Sequence, residues 1–75
     1  MNKLDIVIEH GAYKGDHLII VEQGPTKRGG RIKVTVDVVD DDGVSINWGW
    51  RANVKNVETY AEKTKKFIES LMENF

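Results

Sequence analysis

Cysteine is absent from the chain, which removes disulfide staples, thiolate metal cages and a cysteine nucleophile from consideration. A chain without cysteine fits a reducing compartment, and a cytoplasmic location is the expectation. Proline occurs once, at Pro25. No apolar run approaches the roughly 18 residues that a bilayer span needs, and the N-terminus lacks the apolar stretch of a signal peptide, so no membrane role is expected. Neither charge sign dominates. The 11 Lys and Arg against 12 Asp and Glu leave a net charge of −1, without the global basic footprint of tight, sequence-independent nucleic-acid binders. Internal repeats and low-complexity tracts are also missing. With 75 residues, 40% apolar and 31% charged, the chain reads as one globular domain over 1–75.

What is present is a hairpin written into Arg31 to Lys55. Ile32, Val34, Val36 and Val38 alternate with Arg31, Lys33, Thr35 and Asp37, and successive strand side chains point to opposite faces. Val44, Ile46, Trp48, Trp50, Ala52 and Val54 likewise alternate with Ser45, Asn47, Gly49, Arg51, Asn53 and Lys55. A three-residue loop, Asp41-Asp42-Gly43, with Asp40 opposite Val44, keeps the apolar residues on one face and places glycine where positive φ is needed. That register pairs Val36 with Trp48, Val34 with Trp50 and Lys33 with Arg51.

Upstream, Leu4, Ile6 and Ile8 form one face of a first strand. Leu18-Ile19-Ile20-Val21 is apolar on both faces, as in a strand covered twice or built into a barrel. After Val54 the period changes, and Val57, Ala61, Thr64, Ile68, Leu71 and Phe75 form the stripe of an amphipathic helix flanked by Tyr60 and Phe67. Asn56 suits its N-cap and Glu58 its first turn. The expected fold is α+β, a four-stranded antiparallel meander with strands at about 3–9, 17–22, 31–40 and 44–54 and an amphipathic helix at about 57–74 on one face.

Lys14-Gly15-Asp16-His17-Leu18-Ile19-Ile20-Val21, then Gly24-Pro25 with Lys27 and Gly29, then a hairpin through Asp42-Gly43, resembles the strand and loop order of KOW-type, SH3-like small barrels. The resemblance covers about residues 14 to 55. It implies an alternative fold, an SH3-like barrel with an added C-terminal helix. It also implies contact with RNA, DNA or transcription and ribosomal proteins.

Catalytic and cofactor chemistry find little footing. Gly24 and Gly29 have the spacing of a phosphate-binding loop, but Gly30-Arg31 replaces its Lys-Ser/Thr and a strand follows instead of a helix. His10 and His17 with Glu9 and Asp16 lack metal-ligand spacing, and no serine stands in a nucleophile context. The chain is expected to be no enzyme and to hold no cofactor or metal. Trp48 and Trp50 suggest a stacking platform, but alternation assigns both to the core.

The outward polar face of the hairpin carries the functional expectation. One end collects Arg31, Lys33, Arg51 and Lys55, with Lys27 and Arg28 in the preceding loop; the other collects Asp37, Asp40, Asp41 and Asp42. Glu58, Glu62, Lys66, Glu69 and Glu73 give the helix a mainly acidic outer stripe. The reading is a small regulatory or inhibitory protein that binds a protein partner through charged surfaces. Its acidic candidates are Asp37, Asp40, Asp41, Asp42, Glu58 and Glu62, which could imitate the phosphates of a nucleic acid before a nucleic-acid-binding protein. The alternative is a nucleic-acid-binding module using Lys27, Arg28, Arg31, Lys33, Arg51 and Lys55. So small a core also makes a homodimer a candidate assembly.

Overall fold

The alternating runs form strands in the computed structural model, which describes residues 2–24 and 29–71 apart from the side chains of Asn47 and Trp48. The elements are β1 (Lys3–Val7), β2 (His17–Glu22), β3 (Ile32–Val39), β4 (Ser45–Val54) and α1 (Val57–Ser70). The strands form one antiparallel meander in the order β1-β2-β3-β4, with α1 on one face. This is the expected α+β layout. The sheet has two edges, β1 and β4, and does not close into the SH3-like barrel that the resemblance implied.

The core follows the pattern of the strands and the helix stripe. Leu18, Ile20, Val34, Val36 and Val38 of the two central strands are buried with Ile8, Val54 and the helix residues Val57, Ala61 and Ile68. Full burial of a Leu or Ile contributes about 1.5–3 kcal/mol, so these contacts dominate what holds the layers together. Leu4, Ile6, Ile32, Trp50, Ala52 and Tyr60 pack around them, half-buried. Thr64 is buried within the apolar stripe, whereas Phe67 on its flank is exposed. The indole Nε1–H of Trp50 donates to the Tyr60 hydroxyl at 2.8 Å, tying β4 to the first turns of the helix.

The helix begins as expected and ends earlier. Asn56 Oδ1 accepts the Thr59 N–H at 2.9 Å, which satisfies one of the free amides of the first turn. Leu71 turns extended (φ −68, ψ 131), so the described helix stops at Ser70. The expected continuation beyond Leu71 to about residue 74 and the contact of Phe75 lie outside the described residues, as do Pro25 to Arg28.

The hairpin register departs from expectation. Val39 pairs with Ser45, Val38 with Asn47, Asp37 with Gly49, Val36 with Trp50, Thr35 with Arg51, Val34 with Ala52 and Lys33 with Asn53. The turn itself closes as expected, with Asp40 N–H donating to the Val44 carbonyl and Gly43 N–H to the Asp40 carbonyl, both at 3.0 Å. Between turn and strand, β4 then accommodates two extra residues, Ile46 and Trp48, at consecutive irregularities. Asp37 supports this stretch: its Oδ1 accepts the Val38 N–H and the Ser45 hydroxyl, each at 2.9 Å. As a result Val44 and Ile46, expected in the core, are exposed, because one sits in the turn and the other is an extra bulge residue.

The far end of the helix is fastened to the β1–β2 connection. Glu9 N–H donates to Glu69 Oε2 at 2.8 Å, and Lys65 Nζ donates to Glu9 Oε1 at 2.7 Å. That pairing holds the Glu9 carboxyl below its ordinary range and the Lys65 ammonium above its own. Gly11, at φ +85, passes so close that a Cβ there would stand 2.7 Å from the Glu69 carbonyl oxygen.

Gly15 has a similar φ, +92, but open space where its Cβ would be. Gly15→Ala should therefore cost only the left-handed backbone penalty of about 1–2 kcal/mol. Gly11→Ala adds a backbone clash and should cost about 2 kcal/mol more than Gly15→Ala, read as unequal shifts of the urea midpoint. Equal shifts would contradict the close approach of helix and loop.

Candidate functional site

With α1 covering one face, the other face of the sheet is left open by the described residues. Pairing arranges its side chains in rows that cross the strands. One row is Lys3, Val21, Thr35 and Arg51; the next is Asp5, Ile19, Asp37 and Gly49; the third is Val7, His17, Val39 and Ser45. Lys33 lies beyond the first row, opposite Asn53. Neighbouring rows are about 7 Å apart, twice the rise per strand residue. The second strand is thus covered once, not twice: Leu18 and Ile20 are buried beneath the helix, while Ile19 and Val21 remain half-buried on the open side. Val7, at the edge, is 49% exposed.

His17 is the best-organised polar side chain of this face. Its Nδ1 lies 2.8 Å from Asp5 Oδ1 and its Nε2 3.2 Å from Asp41 Oδ1, joining β1, β2 and the β3–β4 turn. Only a protonated imidazole can donate from both nitrogens. The hydrogen bond to Asp5, then that to Asp41, raises the His17 pKa above its ordinary 6.5 against the opposing effect of burial. The group borders a shallow depression of about 290 Å³ whose walls include Lys3, Ile19, Val39 and Gly43. The two carboxylates approach opposite ring nitrogens and do not converge on one point. Among the described residues no group of three or more His, Cys, Asp or Glu is placed to hold a metal ion.

The structure divides the acidic candidates. Asp37, Asp40, Asp41 and Asp42 lie at the turn end of β3 and β4. Glu58 and Glu62 are exposed on α1, which begins beyond the opposite end of β4 and covers the other face. Asp37 is engaged by the bulge, and Asp40 Oδ1 accepts the N–H groups of Asp42 and Val44 at 2.9 Å, so both help to shape the turn. Asp41 holds His17, and Asp42 is exposed.

The basic candidates are also divided. Lys33 and Arg51 are exposed on the open face, one row apart instead of directly opposed. Arg31 is exposed just before β3. Lys55 follows β4 and lines a different depression of about 290 Å³, with Thr59, Tyr60 and Lys63 of the helix. Lys27 and Arg28 lie outside the described residues. Trp50 is half-buried against the core, and nothing is described of the Trp48 side chain.

Three residues that sequence reasoning had not assigned to a site complete the face: Lys3, Asp5 and His17. Their outward positions follow from alternation in β1 and β2, but their places beside the hairpin follow only from the register of the β1–β2 and β2–β3 pairs. Comparison with protein-family models, curated proteins and solved structures returns no match. Among the described residues, no helix is long and apolar enough to cross a membrane.

The raised pKa of His17 sets the sign of a pH effect. Its bonds contribute stability in full below the unfolded value near 6.5 and lose it as pH rises through the higher folded value. The thermal midpoint of the wild type relative to His17→Gln should therefore fall between about pH 5.5 and about pH 8. A difference independent of pH over this range would contradict the bridged imidazolium.

Proposed function

We propose that this chain is a non-enzymatic binding protein that docks a protein partner on the open face of its sheet and regulates that partner by occupying its surface. The observation that carries this reading is the uncovered row structure of the face. Half-buried Ile19, Val21 and Val39 lie among Lys3, Lys33 and Arg51 on one side and Asp5, His17 and Asp41 on the other. Apolar area supplies attraction, and the flanking charges select partner and orientation. A non-enzymatic role is supported by His17, whose two ring nitrogens are both engaged by carboxylates of this chain, tying β1, β2 and the turn together.

The division of the carboxylates between two ends and two layers favours sheet-face docking over nucleic-acid mimicry, which calls for one continuous acidic surface. The same geometry bears on direct nucleic-acid binding. A polyanion lying along Lys33, Arg51 and Lys3 would meet Asp5 and Asp37 one row further on, about 7 Å away.

Capture of proteins from source-cell lysate by the immobilised chain tests the reading. Lys33→Glu combined with Arg51→Glu should reduce specific capture at least about tenfold, equivalent to about 1.4 kcal/mol. Glu58→Lys combined with Glu62→Lys, on the helix, should leave it unchanged. The reverse pattern would move the site to the helix. Salt-sensitive binding of labelled DNA or RNA, lost in the sheet-face variant, would replace the protein partner with nucleic acid.

A further inference from the structure

Gly49 borders the first irregularity of β4, opposite Asp37, and it also leaves the open face bare at that point. Its φ lies outside the left-handed region, and among the described residues no atom stands within 4 Å of where its Cβ would be. Glycine in a strand interior weakens it, and close approach of another surface is one of the few returns. Gly49 lies on the open face, in the row of Asp5, Ile19 and Asp37.

We propose that the partner seated on this face is a second copy of the chain, packed sheet to sheet about a two-fold axis. This rests on the open face being the docking surface. The axis lies between the two sheets and crosses the strands midway between the Lys3-Val21-Thr35-Arg51 row and the Asp5-Ile19-Asp37-Gly49 row. Such an axis reverses strand direction and lays each strand over its own counterpart, so the first row of one copy covers the second row of the other. Lys3 then meets the partner's Asp5, Val21 meets the partner's Ile19, and Thr35 meets the partner's Asp37. Arg51 lies over the partner's Gly49, which carries no side chain of its own, with the partner's Asp37 one strand away.

Every contact occurs twice, as an isologous interface requires. The apolar pair lies on β2, with an oppositely charged pair toward either edge. Four strands about 4.8 Å apart and 5 to 10 residues long project to roughly 450 Å² per copy, at the small and weak end of specific interfaces. Sheets packed this way lie about 10 Å apart with their strands within about 30° of each other.

Sedimentation equilibrium of the full chain from about 10 to 500 µM should show a monomer–dimer equilibrium. Gly49→Val should raise the dimer dissociation constant at least about tenfold while retaining a folded circular-dichroism spectrum. Lys3→Glu alone opposes two carboxylates twice, and Asp5→Lys alone opposes two ammonium groups twice, so each should be monomeric. Mixed in equal amounts the two variants regain opposite charges at both contacts, and a heterodimer should form with an affinity within about threefold of the wild type. A wild type that stays monomeric, a dimer indifferent to Gly49→Val, or a mixture that fails to associate would overturn the proposal. If self-association fails while capture still depends on Lys33 and Arg51, the open face serves a different protein. If the dimer forms as described while capture ignores that face, the docking function falls and the dimer stands.

Discussion

One helix of 14 residues must close the core of four strands, and this constraint organises the molecule. At 1.5 Å per residue the helix is about 21 Å long, similar to the width of four strands spaced about 4.8 Å apart. It serves both edges by crossing from one corner of the sheet to the other. It starts after the last residue of β4 and reaches the β1–β2 connection at the opposite corner, where Gly11 yields space to the Glu69 carbonyl and Glu9 meets Lys65 and Glu69. The polar ties sit at the two ends of this crossing, with Asn56 and the Trp50–Tyr60 bond at the start. Between them Ala61, Thr64 and Ile68 cover the central strands. A helix committed to one face leaves the other uncovered among the described residues.

Much of this layout was legible in the residues because two periods were clean. Val34, Val36 and Val38 against Lys33, Thr35 and Asp37 fixed the inner side of β3, and Val57, Ala61, Thr64 and Ile68 marked the inner side of α1. The local chemistry of Asn56 and of Asp40 to Gly43 identified the helix start and the hairpin turn. The β4 register was hidden for a physical reason. One bulge exchanges the faces of all residues beyond it, and alternation would betray it; two bulges restore the parity. Ile46 and Trp48 thus move the register by two residues while the apolar alternation from Val44 to Val54 stays unbroken. The doubly apolar β2 suggested two coverings because alternation reports side-chain polarity and cannot say whether a second layer exists.

The candidate site was legible in its signs and not in its membership. Charge segregation along the hairpin was visible in Lys33 and Arg51 against Asp37 to Asp42. The assignment of Lys3, Asp5 and His17 to the same surface required strand pairing across connections whose lengths do not determine register. Lys55 illustrates the opposite error: alternation extended past the end of β4 assigned it to the open face, whereas the turn into the helix carries it to a depression shared with Lys63. Carboxylates were overread as free surface charge, because Asp37 and Asp40 are spent on the backbone of the bulge and the turn.

The spacing of opposite charges on the open face determines what they can do. Rows of opposite sign about 7 Å apart cancel beyond roughly that distance, which is shorter than the Debye length of about 8 Å at physiological ionic strength. With a net charge of −1 the face therefore offers little long-range steering, and association should proceed at the unassisted rate of about 10⁵–10⁶ M⁻¹s⁻¹. Its charges act at contact, where they select register. Sliding a complementary surface by one row along the strands removes these attractions and brings one charged row against its like, while the apolar residues between them tolerate the slip. His17 modifies the same balance, since its protonation adds a positive charge among Asp5 and Asp41 and softens the acidic row. The apolar stripe can hold a partner, and the charged rows decide where it is held.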